Sequence, residues 1–103
     1  MNYDQLLAIL SPTGIPFACR HWEKVPKPPY GVYFDERANN FVADGIVYFS
    51  VPHYIVELYI PQRDPTIEGK VESALTSAGI CWKKGSAWVE ELRLFQVYYE
   101  FEV

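Results

Sequence analysis

The chain has little of what usually carries chemistry or crosses a membrane. Only two of its 103 residues are cysteine and two are histidine. Two cysteines are too few for a disulfide framework, and no apolar run approaches the ~20 residues of a membrane-spanning helix. Asn2, Asp4 and Gln5 do not fit a signal peptide. Basic residues are also few: nine Lys and Arg against 13 Asp and Glu give a net charge of −4, which disfavours a dedicated nucleic-acid binder. We expect a soluble, cytoplasmic domain.

Motifs for catalysis and cofactor binding are absent as well. The pattern Gly-x-Ser-x-Gly does not occur, and the six glycines are scattered rather than grouped in a phosphate-binding loop. Cys19 and His21 form a possible nucleophile and base pair, but no carboxylate adjoins them and strand packing explains their spacing. With His53 and Cys81 they make a possible zinc set whose spacing is unusual. We expect no catalytic residues, no cofactor and no metal, and reduced cysteines that act as small apolar residues. A disulfide between the two is the less favoured alternative.

Apolar and aromatic side chains are what the chain has in abundance. Half of the residues are hydrophobic, and three Trp, eight Tyr and six Phe are present. A chain of this length buries roughly two-thirds of its unfolded surface, which suffices for one core without disulfides or metals. We therefore expect residues 1–103 to form a single domain.

Two amphipathic helices are predicted from the spacing of apolar residues. The first begins after an Asn2 cap that Gln5 completes as a capping box, and it ends near Ser11 because Pro12 follows. Its apolar stripe comprises Tyr3, Leu6, Leu7 and Leu10. The second is capped by Asp64, has Pro65 at its first position, and ends at Gly79. Its predicted buried stripe is Ile67, Val71, Ala74, Leu75 and Ala78, with Glu68, Lys70, Glu72 and Ser73 facing outward.

The remaining apolar segments alternate as strands do. Asp44-Gly45 is the strongest hairpin signal, and Gly85-Ser86 predicts a second hairpin. Pro52 interrupts a long strand. The prolines at 26, 28 and 29 indicate a stiff connection. The predicted strands are Ile15–Trp22, Tyr30–Phe34, Phe41–Ala43, Ile46–Ile60, Ile80–Lys84, Ala87–Glu90 and Leu94–Val103. With the Ile80–Glu90 hairpin counted once, the order is α-β-β-β-β-α-β-β. We expect an α+β fold, an antiparallel or mixed β-sheet with both helices packed on one face.

Several aromatic residues lie on strand faces that are otherwise polar. Tyr59 shares a face with Glu57, Tyr98 lies among Gln96, Glu100 and Glu102, and Trp22 follows Arg20 closely. Such residues either cover a sheet through cross-strand pairs or anchor protein interfaces. The candidate interface residues are Trp22, Tyr59 and Tyr98.

The whole-chain pattern resembles the tail-completion proteins of tailed phages and prophages of low-GC Gram-positive bacteria, which are tail terminators or tail-to-head joining proteins. The resembling stretches are Tyr3–Leu10, Gly14–Ala18, Asn40–Gly45, Tyr54–Tyr59, Asp64-Pro65 with Glu68 and Val71, and Tyr99–Glu102. The resemblance implies an α+β monomer without catalytic residues that assembles into a sixfold ring. The ring caps the tail tube and presents a surface to the filled head.

The implied partners are further copies of the chain, the tail-tube protein and a head-completion (stopper) protein, with no membrane contact. The implied location is the virion, at the head–tail junction, after assembly from the host cytoplasm. DNA would pass through the ring without specific binding, and an acidic channel wall would repel it. The candidate lumen-lining residues are Glu57, Glu90, Glu91, Glu100 and Glu102, although ordinary solvation explains the same charges.

Three alternatives remain open at the level of the sequence. The chain is another small virion component, such as a head stopper or minor tail protein. It is a non-viral cytoplasmic adaptor or ligand-binding domain, which would hold a defined apolar pocket. Least favoured is an enzyme, which would need a cleft of perturbed ionisable groups around Cys19, His21 and His53.

Overall fold

The computed structural model of the chain describes residues 1–37, 42–43, 46–47 and 52–102. It contains two α-helices, α1 (Tyr3–Leu10) and α2 (Pro65–Ser77), and a 3₁₀ turn at Ser11–Thr13. The strands are β1 (Phe17–Cys19), β2 (Tyr30–Arg37), β3 (Val42–Ala43), β4 (Ile46–Val47), β5 (Pro52–Ile60), β6 (Lys83–Val89) and β7 (Leu94–Glu102).

Five strands form one mixed sheet in the order β1-β2-β5-β7-β6. β1 runs parallel to β2, and every other neighbouring pair is antiparallel. The short strands β3 and β4 pair separately, with Val42 opposite Val47. This pairing agrees with a hairpin between them, while Asp44-Gly45, Phe41 and Val103 lie outside the described residues. The predicted strand Ile46–Ile60 is two strands in different sheets, and Pro52 is the first residue of the second, a position that tolerates a missing N–H.

Both helices pack on the same face of this sheet, so the predicted α+β architecture is confirmed. Leu6 and Leu10 of α1 and Val71 and Leu75 of α2 are completely buried. They join one core with alternate residues of the central strands, namely Tyr54, Val56, Leu58 and Ile60 of β5 and Val97, Tyr99 and Phe101 of β7. The alternation predicted for the last strand therefore places its apolar side chains on the helix side.

The helix ends follow the predicted capping chemistry. Asn2 Oδ1 accepts a hydrogen bond from the Gln5 N–H at 2.8 Å, and Gln5 Oε1 accepts one from the Asn2 N–H at 2.9 Å. Asp64 caps α2 by accepting from two backbone N–H groups, and Gly79 adopts the left-handed conformation (φ +78°) just beyond it. Leu7, which belongs to the predicted apolar stripe of the first helix, is 38 % exposed.

The predicted outward face of α2 is wrong at Glu68, and the predicted buried stripe is wrong at Ala78. Glu68 is 3 % exposed, because Arg63 and Lys84 surround its carboxylate and supply the charge that burial requires. Ala78 is exposed because it is the C-cap residue, beyond the last packed turn.

The predicted hairpin at Gly85-Ser86 is also wrong. β6 runs unbroken through both residues, and Gly85 lies opposite Tyr98 of β7. The turn lies instead at residues 90–93, where the Arg93 N–H donates to the Glu90 carbonyl at 3.2 Å and Arg93 has φ +52°. Glycine suits the strand because a Cβ on Gly85 would come within 2.2 Å of the Tyr98 ring.

The edges of the sheet differ from the prediction in length. β1 covers only Phe17–Cys19, not Ile15–Trp22, because Arg20 takes a left-handed conformation (φ +69°) that ends the pairing. The Arg20 guanidinium lies 3.0 Å from the Asp35 carboxylate of β2. β2 continues to Arg37 because it pairs with β5 along its whole length.

Candidate interaction surface

The sheet face opposite the helices brings together the aromatic residues that the sequence marks as interface candidates. We call it the open face. The register of β2, β5 and β7 forms two rows across this face. One row is Tyr30, Tyr59 and Gln96, and the next is Val32, Glu57 and Tyr98. Tyr59 and Tyr98 are half-buried, whereas Tyr30 is 5 % exposed. Because side chains alternate across a strand, all six residues point away from the helices.

Trp22 reaches the open face from the connection between β1 and β2. Its indole Nε1–H donates to the Gly31 carbonyl at 2.9 Å, and its ring packs edge-on against Tyr30 at 6.3 Å. Tyr30 in turn stacks on Tyr59, with ring centroids 5.2 Å apart and planes 17° apart. Trp22, Tyr30 and Tyr59 therefore form a continuous aromatic row, fixed at one end by a hydrogen bond.

Glu57 places a carboxylate in the middle of the open face. Its oxygens accept hydrogen bonds from the Tyr59 hydroxyl and from Gln96 Nε2, each at 3.1 Å, and Gln96 also donates to the Tyr59 oxygen at 2.9 Å. Desolvation by burial raises the pKa of Glu57, although the hydrogen bond from Tyr59 opposes the rise. The site thus holds a poorly solvated negative charge beside aromatic rings.

The other candidate acidic residues do not gather around Glu57. Glu100 lies further along β7, with Oε2 3.5 Å from His53 Nε2, and Glu102 is exposed at the end of the same strand. Glu90 and Glu91 lie at the opposite end, in the exposed turn before β7, where Glu90 accepts a hydrogen bond from Trp88 Nε1 at 2.5 Å. These four carboxylates are thus spread along β7 and its preceding turn, whereas Glu57 lies on β5.

A second charged cluster, which the sequence analysis did not find, lies on the helix side. Arg63 binds the Glu68 carboxylate with two hydrogen bonds, of 3.1 and 2.9 Å. Lys84 Nζ lies 2.8 Å from Glu68 and 2.7 Å from Glu72, and the Tyr99 hydroxyl donates to Glu72 at 2.8 Å. The nearest sequence signal was an arginine directly before the Asp64-Pro65 cap, with a glutamate in the first turn.

The electrostatics of this cluster indicate a structural role. Hydrogen bonds from Arg63, supported by Lys84 and the Asp64 N–H, lower the pKa of Glu68 to about 2 against the opposing effect of burial. Burial and the hydrogen bond to Glu72 raise the pKa of Tyr99. Because the cluster joins α2 to β6 and β7, it fixes the helix layer on the sheet that carries the open face.

The cysteines and histidines do not assemble into one site. Cys19 and Cys81 are free and exposed rather than packed as small apolar residues. Cys19 ends the edge strand β1, whereas Cys81 lies two residues before the opposite edge strand β6. His21 is exposed, and its backbone N–H donates to the Cys19 carbonyl at 2.8 Å. His53 and Cys81 line a cavity of about 350 Å³ together with Lys83 and Glu100. Within residues 1–37, 42–43, 46–47 and 52–102, no three His, Cys, Asp or Glu side chains are grouped to hold a metal ion.

Comparison with known proteins returns no match, whether against family models, curated proteins or solved structures. Neither described helix has the length and apolar character needed to cross a bilayer. The assignment of function therefore depends on the surfaces of the fold itself.

Proposed function

We propose that this chain is a tail-completion protein of a tailed phage or prophage, which acts by binding rather than by catalysis. It assembles as a ring, with six copies as the expected number, that closes the tail tube and joins it to the head. Its partners are further copies of itself, the tail-tube protein and a head-completion protein. Its location is the head–tail junction of the virion.

The observation that carries this proposal is the composition of the open face. Trp22, Tyr59 and Tyr98 lie on one surface of a rigid sheet, and none of them belongs to the core cluster under the helices. Trp and Tyr are the residues that most often anchor protein interfaces, because they bury much apolar area and retain a polar group. The α+β architecture also agrees with the expectation from the resemblance.

The acidic residues suit a channel that DNA crosses without being retained. Glu102 is exposed at the end of β7, and like charge would keep the phosphate backbone from binding to a wall that displays it. We propose Glu102 as the lumen residue in preference to Glu57 and Glu100, which are half-buried, and to Glu90 and Glu91, which lie in the turn at the other end of β7. Replacing Glu102 with lysine should slow DNA ejection, and unchanged ejection would remove this part of the proposal.

The test of the function is the binding of the purified chain to tail tubes polymerised from the tube protein of the same phage or prophage. Negative-stain images should show one end of each tube closed by a ring, and added protein should stop tube growth. Tubes of an unrelated phage are the control. A chain that leaves tube ends bare and tube growth unchanged would contradict the proposal, and binding to isolated heads instead of tubes would identify a head stopper.

A further inference from the structure

The outer surface of the two helices contains a groove that no side chain of the described residues fills. It is an open depression of about 620 Å³ between α1 and α2, within the size range of pockets that accept a ligand or several side chains. Its walls are formed by short side chains, Ala8 on α1, Ala74 on α2 and Ala78 at the C-cap of α2, and Ile9 and Pro12 provide apolar surface at one side. Lys70 contributes a positive charge to the lining.

A protruding apolar group lies elsewhere on the same chain. Trp88, near the end of β6, is 47 % exposed, and Leu92, in the turn before β7, is 50 % exposed. We call these two residues the knob. Trp88 packs edge-on against Phe95 at 5.0 Å, and the Leu92 N–H donates to the Val89 carbonyl at 3.2 Å. The knob is therefore preorganised, which lowers the entropy cost of binding.

The charges around the knob and the groove are opposite. Glu90, Glu91 and Arg93 are exposed in the turn that carries Leu92 and give it a net negative charge, whereas Lys70 is exposed in the groove lining. An apolar group flanked by carboxylates and an apolar groove flanked by an ammonium are complementary in both polarity and charge. Both belong to one chain, so a second copy supplies the matching surface.

We propose that the knob of one copy binds in the α1–α2 groove of the next copy. The two surfaces are different parts of the molecule, so the contact is heterologous and each copy keeps one free knob and one free groove. Such a contact continues from copy to copy until it closes as a ring or grows as a filament. This inference rests on the proposed function, in which the knob-and-groove contact joins neighbouring subunits of the ring.

Disulfide cross-linking between two single-cysteine variants tests this contact. In a Cys19→Ser, Cys81→Ser background, one variant carries Leu92→Cys on the knob and the other carries Ser77→Cys in the groove. Under mild oxidation the mixed variants should give a cross-linked dimer, and neither variant alone should give one, because knob and groove never meet their own kind. A chain that carries both cysteines should give a ladder of oligomers. Val25→Cys replaces Leu92→Cys as the control. Val25 is 60 % exposed and lies in the connection between β1 and β2, at the sheet edge opposite β6.

A charge exchange tests the same contact without cysteines. Glu91→Lys and Lys70→Glu should each lower self-association. Sedimentation velocity at high protein concentration measures this for the free protein, and ring formation on tail tubes measures it for the bound protein. An equimolar mixture of the two variants should recover oligomers of alternating copies, because the new lysine meets the new glutamate at one contact and the unchanged Glu91 meets the unchanged Lys70 at the next. Both residues are exposed, so neither variant is expected to unfold.

The outcomes separate this inference from the proposed function. Rings on tail tubes without the Leu92–Ser77 cross-link would overturn the knob-and-groove contact and leave the function in place. A cross-linked ladder with no binding to tubes would support the contact and overturn the function. Equal cross-linking by the Val25 control would show that the reaction reports collision rather than binding, and it would overturn the contact.

Discussion

At the scale of single residues, Glu57 and Glu68 show how the same side chain responds to two environments. Glu68 is buried with cationic partners on both sides, and its pKa is lowered to about 2. Glu57 is half-buried among aromatic rings and hydrogen-bonded to neutral groups, and its pKa is raised. The two residues therefore affect stability in opposite directions as the pH changes.

The variant Glu68→Gln is expected to lower the free energy of unfolding at pH 7 by about 3 kcal/mol, because it removes the charge that Arg63 and Lys84 hold in place. A carboxyl whose pKa is lower in the folded state stabilises the fold above its unfolded pKa, and this contribution disappears as the pH falls from ordinary carboxyl values to about 2. Urea unfolding of both proteins at a series of pH values measures the difference.

The control for this prediction is Glu23→Gln, which alters an exposed carboxylate and should change stability little at any pH. A difference between wild type and Glu68→Gln that stays constant from pH 6 to pH 2 would show that packing, not charge, explains the loss.

Glu57→Gln should have the opposite sign. Ionised Glu57 is held in a poorly solvated place, so a neutral amide of the same shape is expected to maintain or raise the thermal midpoint at pH 7. The raised pKa also predicts that the wild-type disadvantage shrinks as the pH falls through the folded-state pKa, because the folded state then takes up the proton. A lower midpoint for Glu57→Gln at pH 7 would contradict this account and would assign net stabilisation to the ionised carboxylate.

At the scale of the elements, two glycines that look alike in the sequence have different roles. Gly85 lies within β6 under the Tyr98 ring, whereas Gly69 lies within α2 with open space where a Cβ would be. Gly85→Ala should cost about 1–3 kcal/mol, since the new methyl displaces the ring. Gly69→Ala should add about 0.5–1 kcal/mol, since alanine favours the helix. Urea denaturation measures both changes.

Combining Gly85→Ala with Tyr98→Ala tests the cause of the first effect. If the ring is what the methyl displaces, the double variant loses less stability than the sum of the two single variants. Strict additivity would assign the cost of Gly85→Ala to the strand backbone instead.

Features of the fold that depend on neighbouring residues are predictable from the sequence, whereas those that depend on contacts between β6 and β7 are not. Caps such as Asn2 with Gln5 and Asp64 with Pro65 depend on neighbouring residues alone, so they are readable directly, as is the alternation of β7. Gly85-Ser86 has the composition of a turn, but its conformation is decided by Tyr98, a residue distant in the chain. Glu68 is polar in any sequence pattern, and its burial depends on Lys84, which arrives from β6, as well as on nearby Arg63.

The candidate interaction surface is predictable to the same degree. Period-two alternation places Tyr59 and Tyr98 on one strand face each, and it is the register between β5 and β7 that makes those faces one surface. Trp22 reaches that surface through a loop whose path the sequence does not specify. The five glutamates predicted to line the lumen share a charge but not a location, because a shared charge does not indicate where residues lie relative to one another in the fold.

At the scale of the whole molecule, the fold has surfaces of distinct character. One sheet face is covered by helices that leave the α1–α2 groove, and the other is the aromatic open face. Within the described part of the chain, the outer side of β6 is an unpaired edge of seven residues. The opposite edge strand, β1, is only three residues long. This asymmetry suits head-to-tail assembly, in which each copy presents a different surface to each partner.

If the knob and the groove join copies to one another, the open face remains available for the tail tube. The double variant Tyr59→Ser, Tyr98→Ser should therefore weaken tube capping while leaving the Leu92–Ser77 cross-link intact. Anchoring aromatic residues typically contribute about 2 kcal/mol each at an interface, so the concentration needed to cap half of the tubes should rise by roughly thirtyfold for each tyrosine lost and roughly a thousandfold for the pair. Counting closed tube ends by negative stain across a protein titration measures this concentration.

The matched control is Tyr59→Phe, Tyr98→Phe, which retains both rings and removes both hydroxyls. Since Tyr98 presents its ring over Gly85, capping by this variant should stay near wild type if ring contact provides the affinity. A phenylalanine variant as weak as the serine variant would assign the affinity to the hydroxyls, of which that of Tyr59 contacts Glu57 and Gln96. Loss of the cross-link together with capping in the serine variant would instead make the open face part of the contact between copies, with the tube bound elsewhere.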